Sequence, residues 1–333
     1  MRNNKYITRL INNTTKKYSF YINDYKIEDK NLIEKLSKIY IAPAYKDVRI
    51  YLNKDIIATG IDSAGRKQYI YSADSKKKRE TKKLNSLITL SKYIFRLKNK
   101  INEDLNQKEY TKDKVIAIIL KVMELCNFRG GTKKYEQKYG SHGLTTLHKK
   151  HILFKKDLAE IEFIGKKGVN NHCIIKNEKI ISILKEIYKL SDHSNPYLFS
   201  IKDEQNNSIN VSLTDLNKYL DKYNVSTKDL RTWNANIIFL KSVRQEFKNI
   251  YPEPYDSKTE NQQLNLRKKV IRNAVIKTAF SLHNTPTICK NSYIDKNIQL
   301  RLLESDNIMK KLVRENKVEY ELFLKGLLEK NKG

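Results

Sequence analysis

The 333-residue sequence has little that would place it in a membrane or outside a cell. No basic, then apolar, then small-residue leader opens it, and the longest strongly apolar run, Val115 to Leu120, is far short of the ~20 residues that cross a bilayer. The expectation is a soluble, intracellular protein. Cysteine is scarce: Cys126, Cys173 and Cys289 are widely scattered, odd in number and without the paired spacing of a zinc site. They are expected to be reduced thiols in packed positions. No internal repeat runs along the chain, which excludes solenoids and propellers. A chain of this length buries enough surface to fold without a disulfide or metal.

What it has in excess is positive charge. Lysine plus arginine total 66 against 37 acids, a net charge of 66 − 37 = +29. Such a surface attracts polyanions, DNA first among them. A lysine- and asparagine-rich codon bias also raises the count, so the charge selects a class of partner and no activity.

The patterning divides the chain near residue 78. Over the first ~75 residues apolar and polar positions alternate, in Val48, Ile50 and Leu52, in Ile56 to Thr59, and in Tyr69 and Tyr71. This predicts a small, mainly antiparallel β domain with a helical segment near Leu32 to Tyr40. The basic, polar stretch from Ser75 to Lys83 suits a linker. Beyond it the period becomes helical. Thr111 caps a core helix carrying Val115, Ile118, Ile119, Val122 and Cys126, and Ser212 with Asp215 and Ser226 with Asp229 cap two more. Thr285-Pro286 starts a further short helix, on which Tyr293 is expected. Alternation at Ala159, Ile161 and Phe163 before Gly165-Lys-Lys-Gly168 predicts a β-hairpin tip. The last residues, Gln299 to Lys330, are charged and helical in period. The fold class is therefore α+β: a β-rich N-terminal domain, 1–78, and a larger, mainly α-helical domain, 79–333, with a hairpin.

Five places carry chemistry: Arg129 beside two glycines at a helix end, Lys166 in the hairpin turn, Arg231 in the first turn of a capped helix, the pair His283-Asn284, and Tyr293. Taken singly, none is convincing, since a lone arginine at a helix end is more often a solvated or salt-bridged charge and one tyrosine among 21 is seldom a nucleophile. Together their surroundings resemble the signature blocks of the small type IB DNA topoisomerases of poxviruses, giant viruses and bacteria. Tyr45-Lys-Asp-Val48, Ala58-Thr-Gly-Ile-Asp62 and Gly65-Arg-Lys-Gln-Tyr69 are similar to the N-terminal blocks. Phe128-Arg-Gly-Gly-Thr132, Tyr139 to Leu147, Phe163-Ile-Gly-Lys166, Lys228-Asp-Leu-Arg-Thr232 and Asn284 to Ile294 are similar to the catalytic ones, in the same order. The resemblance spans roughly residues 40 to 295.

It implies a C-shaped clamp around duplex DNA, with Tyr293 as the nucleophile that joins a 3′ phosphate of one strand while the nicked duplex swivels before resealing. It also implies Arg129 and Arg231 on the phosphate, Lys166 as the acid for the departing 5′ oxygen, and no metal, nucleotide or other cofactor. Lys167 is the neighbour that could replace Lys166. Many relatives have histidine nine residues before the nucleophile, where this sequence has Asn284; an amide N–H can donate to a phosphate oxygen, with His283 as the alternative. The residue types suit the task. A phenol with a pKa near ~10 must attack an anion, and planar guanidinium groups donate paired hydrogen bonds to its oxygens. In the β domain, Gln68, Tyr69 and Tyr71 match the family's major-groove face, and Arg66 and Lys67 are suited to phosphates. The resemblance further implies a monomer on double-stranded DNA, with no membrane partner. The source would be a large DNA virus, and the location the virion and host cytoplasm. Two rivals remain: a tyrosine recombinase or integrase, against which the β-rich N-terminal segment speaks, and a non-enzymatic basic DNA-binding protein.

Overall fold

The computed structural model describes residues 6–329 apart from 13, 14, 16, 53, 191–194, 203 and 204. Lys330, the end of the predicted C-terminal helical stretch, lies outside the described residues. The chain divides into two compact units, Met1–Lys83 and Leu84–Gly333, each with its own core.

The first unit is a six-stranded sheet in the order β3-β2-β1-β4-β5-β6, every pair antiparallel. Its strands are β1 (Ile7–Ile11), β2 (Tyr18–Ile22), β3 (Tyr25–Lys26), β4 (Lys46–Ile50), β5 (Ile56–Ile61) and β6 (Lys67–Tyr71). The alternating stretches are β4, β5 and β6; β1 to β3 escaped the pattern because only Ile7, Arg9 and Phe20 among their residues are buried. Helix α1 (Lys30–Ser37) begins where the Asp29 carboxylate accepts from the amides of Asn31 and Leu32. Ile7, Phe20, Leu36, Val48, Ile50 and Ala58 form the core.

Where a linker was expected there is a helix. α2 (Ala73–Leu105) runs unbroken through the basic stretch, because Lys, Arg and Glu are good helix formers and the stretch contains no glycine or proline. Its first turns are held by Ser75 Oγ donating to Asp55 Oδ1 at 2.6 Å and by Arg79 lying 3.3 Å from the Tyr71 ring centroid.

The second unit is mainly helical. α3 (Lys112–Cys126), capped by Thr111, is its central element, with eight apolar residues from Val115 to Met123 and Cys126 itself buried or nearly so along both faces. Around it lie α4 (Lys133–Tyr139), α5 (Glu178–Leu190), α6 (Leu213–Asp221), α7 (Thr227–Lys248), α8 (Glu260–Ser281), α9 (Pro286–Ser292), α10 (Lys296–Glu304), α11 (Asn307–Arg314) and α12 (Tyr320–Glu329). A three-stranded antiparallel sheet, β7 (Ile152–Phe154), β8 (Ala159–Ile164) and β9 (Asn170–Ile175), carries the predicted hairpin, and β10 (Ser200–Lys202) pairs with β11 (Ser208–Asn210). The cysteine expectation is corrected here. Cys126, at the end of α3, is disulfide-bonded to Cys173 on β9, across a sequence separation of 47. Only Cys289 is a free, buried thiol, which burial pushes up to about 11. No described helix is long and apolar enough to cross a membrane.

Candidate active site

Four of the five candidate positions meet in the second unit. Arg129 follows α3, whose last residue is succeeded by Asn127 in the left-handed conformation at φ 55°, turning the chain out of the helix. The segment after it is seated against a second stretch of backbone: Leu144 N donates to Arg129 O at 2.8 Å and Thr145 N to Gly130 O at 2.7 Å. At Gly131 (φ +83°) a Cβ would come within 2.8 Å of Gly143 Cα, and at Gly143 one would come within 2.7 Å of Arg129 O. Two glycines are therefore needed where these strings cross. This is why Phe128 to Thr132 and Tyr139 to Leu147 act as one support for the Arg129 side chain.

Arg231 projects from the first turns of α7, fixed by the reciprocal Ser226 and Asp229 capping bonds. It is 4% exposed. Its Nη2 donates to Leu282 O at 2.5 Å, and its guanidinium carbon lies 5.2 Å from the Tyr293 ring centroid. Burial pushes Arg231 down to about 10, with the Tyr293 hydroxyl opposing and Arg129 adding to the shift. It is still a cation at neutral pH.

Tyr293 is the residue that closes α9 rather than a member of it, and it is buried. Asn236 on α7, fully buried, holds the chain on both sides of it: Asn236 Nδ2 donates to Tyr293 O at 3.0 Å, and Asn236 Oδ1 accepts from Asp295 N at 2.8 Å. Nothing in the sequence singled out Asn236. Burial by itself would raise the Tyr293 phenol, but the charges of Arg231 and Arg129, with polar contacts from Arg231 and Asn284, outweigh it and hold the phenol below the usual tyrosine range.

Asn284 and His283 part company. Asn284 Oδ1 accepts from Arg129 Nη2. Arginine is donor only, so this bond fixes which end of the amide is oxygen and leaves Nδ2 as the free donor. His283, at φ 52°, turns the other way: Nε2 lies 3.3 Å from Cys126 O and the ring packs 5.3 Å from that of Phe128. Burial holds its imidazole below the ordinary value. The polar contacts of Arg231 and Asn284 with the Tyr293 phenol fall short of hydrogen bonds: Arg231 Nε, Arg231 Nη1 and Asn284 Nδ2 are buried and have no hydrogen-bond partner. Unpaired buried donors are costly. Three of them beside one phenol form a cradle that an anion would satisfy.

Lys166 stands apart. It lies exposed in the turn between β8 and β9, its Nζ 5.7 Å from the Tyr135 ring centroid, and no described hydrogen bond joins it to the other four. The turn is tightly specified. A Cβ at Gly165 would meet Asn171 Nδ2 at 2.3 Å, and Lys167 and Gly168 both take positive φ. The disulfide ties this hairpin's β9 to the end of α3, three residues before Arg129.

In the first unit, Arg66 Nε bonds Asp62 Oδ2 at 3.0 Å and Gln68 Nε2 donates to the same oxygen at 2.8 Å. Asp62 thus orders two of the candidate DNA-contacting side chains, a part the sequence did not reveal. Lys67 Nζ lies 5.7 Å from the centroid of the Tyr69 ring, which is 47% exposed, whereas Tyr71 is half-buried beneath Arg79.

An α+β chain whose helical unit gathers two arginines and an amide, three of their donor nitrogens unpaired, around a buried tyrosine has the makings of a phosphodiester-cleaving enzyme. The catalytic core of eukaryotic DNA topoisomerase I matches residues 72–319, well over half of the chain, which therefore belongs to the DNA topoisomerase I family, an isomerase family acting on DNA. Among relatives, a DNA topoisomerase 1B of Acanthamoeba polyphaga mimivirus is 30% identical over 295 residues, 87% of this chain and 84% of that protein. The DNA topoisomerase 1B of Vaccinia virus (strain Copenhagen) is 26% identical over 290 residues, 85% of each. A solved structure of the XerH site-specific recombinase bound to palindromic difH substrate aligns over 66% of this chain and 50% of its own, with 13% identity and a TM-score of 0.36, too slight a likeness to bear on the function.

Proposed function

We propose that this chain relaxes supercoiled duplex DNA as a type IB enzyme, through a covalent bond between Tyr293 and the 3′ phosphate of one strand. The observation that carries the reading is the cradle: Arg231 Nε, Arg231 Nη1 and Asn284 Nδ2 buried without partners beside a phenol held below its usual range. A phosphodiester seated there would accept from those nitrogens and from Arg129. Tyr293 Oη, its proton passing to solvent, would then form a bond to phosphorus as the bond to the 5′ oxygen breaks. The added negative charge of the transition state would fall on the oxygens facing the two guanidinium groups, where fixed donors are most effective.

The departing 5′ oxygen needs a proton, which Lys166 would supply once DNA draws the hairpin turn toward the phosphate, with Arg129 assisting. Reversal, by attack of the 5′ hydroxyl on the phosphotyrosine, reseals the strand. The phosphate ester conserves the energy of the broken bond, so no nucleotide enters this scheme, and torsion in the DNA drives the swivel. Gln68, Tyr69 and Tyr71 would face the major groove, with Arg66 and Lys67 on phosphates, and the enzyme would act as an intracellular monomer. Incubation with supercoiled plasmid in chelator, without ATP, tests the reading: the intact chain should give relaxed topoisomers, and Tyr293→Phe should bind the plasmid without relaxing it. A shift in plasmid mobility with no relaxation by the intact chain would overturn it.

A further inference from the structure

Outside the catalytic cluster, the segment that supports Arg129 carries three histidines whose ring nitrogens converge. One ligand atom each from His142, His148 and His151 lies within 4.8 Å of the other two, and all three side chains are half-buried. Two of the rings are already oriented as metal-binding imidazoles are. His148 Nε2 lies 2.6 Å from Glu136 Oε1, so its N–H is directed at a carboxylate and Nδ1 is left as a lone pair. His142 Nδ1 lies 2.8 Å from Thr146 O, which leaves Nε2 free in the same way. A ligating histidine nearly always spends its second nitrogen on a carboxylate or a backbone carbonyl, which fixes the tautomer and the ring plane. Glu136 is itself held, its Oε2 accepting from the Tyr197 hydroxyl at 2.9 Å. The third ring, His151, accepts the His148 amide on Nδ1 at 3.0 Å and closes the group.

From this arrangement we infer a binding site for a divalent cation of the zinc class, ligated by His142, His148 and His151, with Glu136 as the orienting carboxylate. Three imidazoles suit zinc and its neighbours in the first transition series and are poor ligands for magnesium or calcium. Nitrogens bound to a tetrahedral zinc at ~2.0 Å sit about 3.3 Å apart, so ligation would draw together ligand atoms that now lie within 4.8 Å of one another. His151 would give up the His148 amide and ligate through Nδ1. The site takes no part in strand cleavage. Its place in the chain suggests what it does: His142 N donates to Ile164 O at 2.8 Å at the base of the Lys166 hairpin, and the adjoining Gly143 packs on the backbone of Arg129 and Gly131. A bound cation would pin this crossing of segments.

The test uses the full chain, stripped with chelator and dialysed, and titrated with zinc chloride by calorimetry and with cobalt(II) by visible absorption. The expected result is a single equivalent of zinc per chain, a tetrahedral cobalt(II) spectrum, and a rise in the unfolding temperature on adding zinc. The double variant His142→Val/His148→Lys should lose all three, and Glu136→Gln should bind about 10- to 100-fold more weakly. If the double variant does not fold, Glu136→Gln alone decides. No stoichiometric binding by the intact chain, or binding that these substitutions leave unchanged, would overturn the inference.

Discussion

At the scale of single residues, the site is arranged by donors and acceptors that sort themselves. Arg129 cannot accept a hydrogen bond, so the Asn284 amide must present its oxygen to it and its N–H₂ elsewhere. His283, one position away, is committed to the Cys126 carbonyl and the Phe128 ring. Asn284→Ala should therefore lower the single-turnover cleavage rate about 10²- to 10³-fold, as loss of one transition-state donor does. His283→Ala should cost less than about tenfold, ~1.4 kcal/mol in the barrier. Rapid-quench cleavage of a labelled duplex separates the two, and a larger loss for His283→Ala would reverse the assignment.

The Tyr293 phenol supplies a second residue-scale prediction. Burial raises it, and the Arg231 and Arg129 charges more than compensate. Its folded pKa thus lies below its unfolded one, so the ionised form contributes stability above the unfolded value, near ~10, and that contribution disappears as pH falls through the folded value. Difference absorbance between the intact chain and Tyr293→Phe should reveal one tyrosine ionising below the usual tyrosine range, and well below Tyr197, which is pushed up to about 12, and Tyr110 and Tyr219, which are pushed higher still. In Arg231→Ala, where burial remains and the nearest charge is gone, the same tyrosine should titrate later. A titration that Arg231→Ala does not move would contradict the electrostatic account.

At the scale of elements, helix ends do most of the placing. The caps at Thr111, Ser212, Ser226 and Thr285 were legible in the sequence, because a small polar residue before an apolar period has one local explanation. They put Arg231 in the first turns of α7 and Tyr293 at the end of α9. Other features were not legible for equally physical reasons. A basic stretch without glycine or proline looks the same as linker or as solvated helix, and α2 resolves it as helix. A disulfide between Cys126 and Cys173 has no sequence signature, since pairing depends on how α3 and β9 pack. Asn236 reads as an ordinary polar residue on a helix until its amide is found bridging Tyr293 and Asp295.

That bridge makes Asn236 a positioning residue whose loss should be visible twice. Asn236→Ala leaves a carbonyl and an amide unpaired in a buried place, at about 1–3 kcal/mol each by denaturant unfolding. It should also slow cleavage while leaving affinity for duplex DNA nearly unchanged, because Tyr293, the proposed nucleophile, shifts and the proposed phosphate-binding groups do not. Weakened DNA binding with an unaltered cleavage rate would instead mark it as structural only.

At the scale of the whole molecule, the chain consists of two compact units, each with its own core. The sheet of the first carries Asp62, Arg66 and Gln68 in one ordered group, and the helical second unit gathers the proposed catalytic residues. The excess of 66 basic over 37 acidic residues gives the chain a long-range attraction for DNA that costs no sequence information. The family match covers residues 72–319, and within that stretch lie two glycines where backbones cross, an arginine with no hydrogen-bond partner for two of its nitrogens, and a buried tyrosine that closes a helix. The most direct test of that account is chemical. The chain is mixed with a duplex labelled at the 5′ end of the cleaved strand, stopped with denaturant during the reaction, digested, and its peptides analysed by mass spectrometry. The account predicts one oligonucleotide-bearing peptide, linked from Tyr293 to a 3′ phosphate and absent in Tyr293→Phe; an adduct on any other residue, or on a 5′ phosphate, would contradict it.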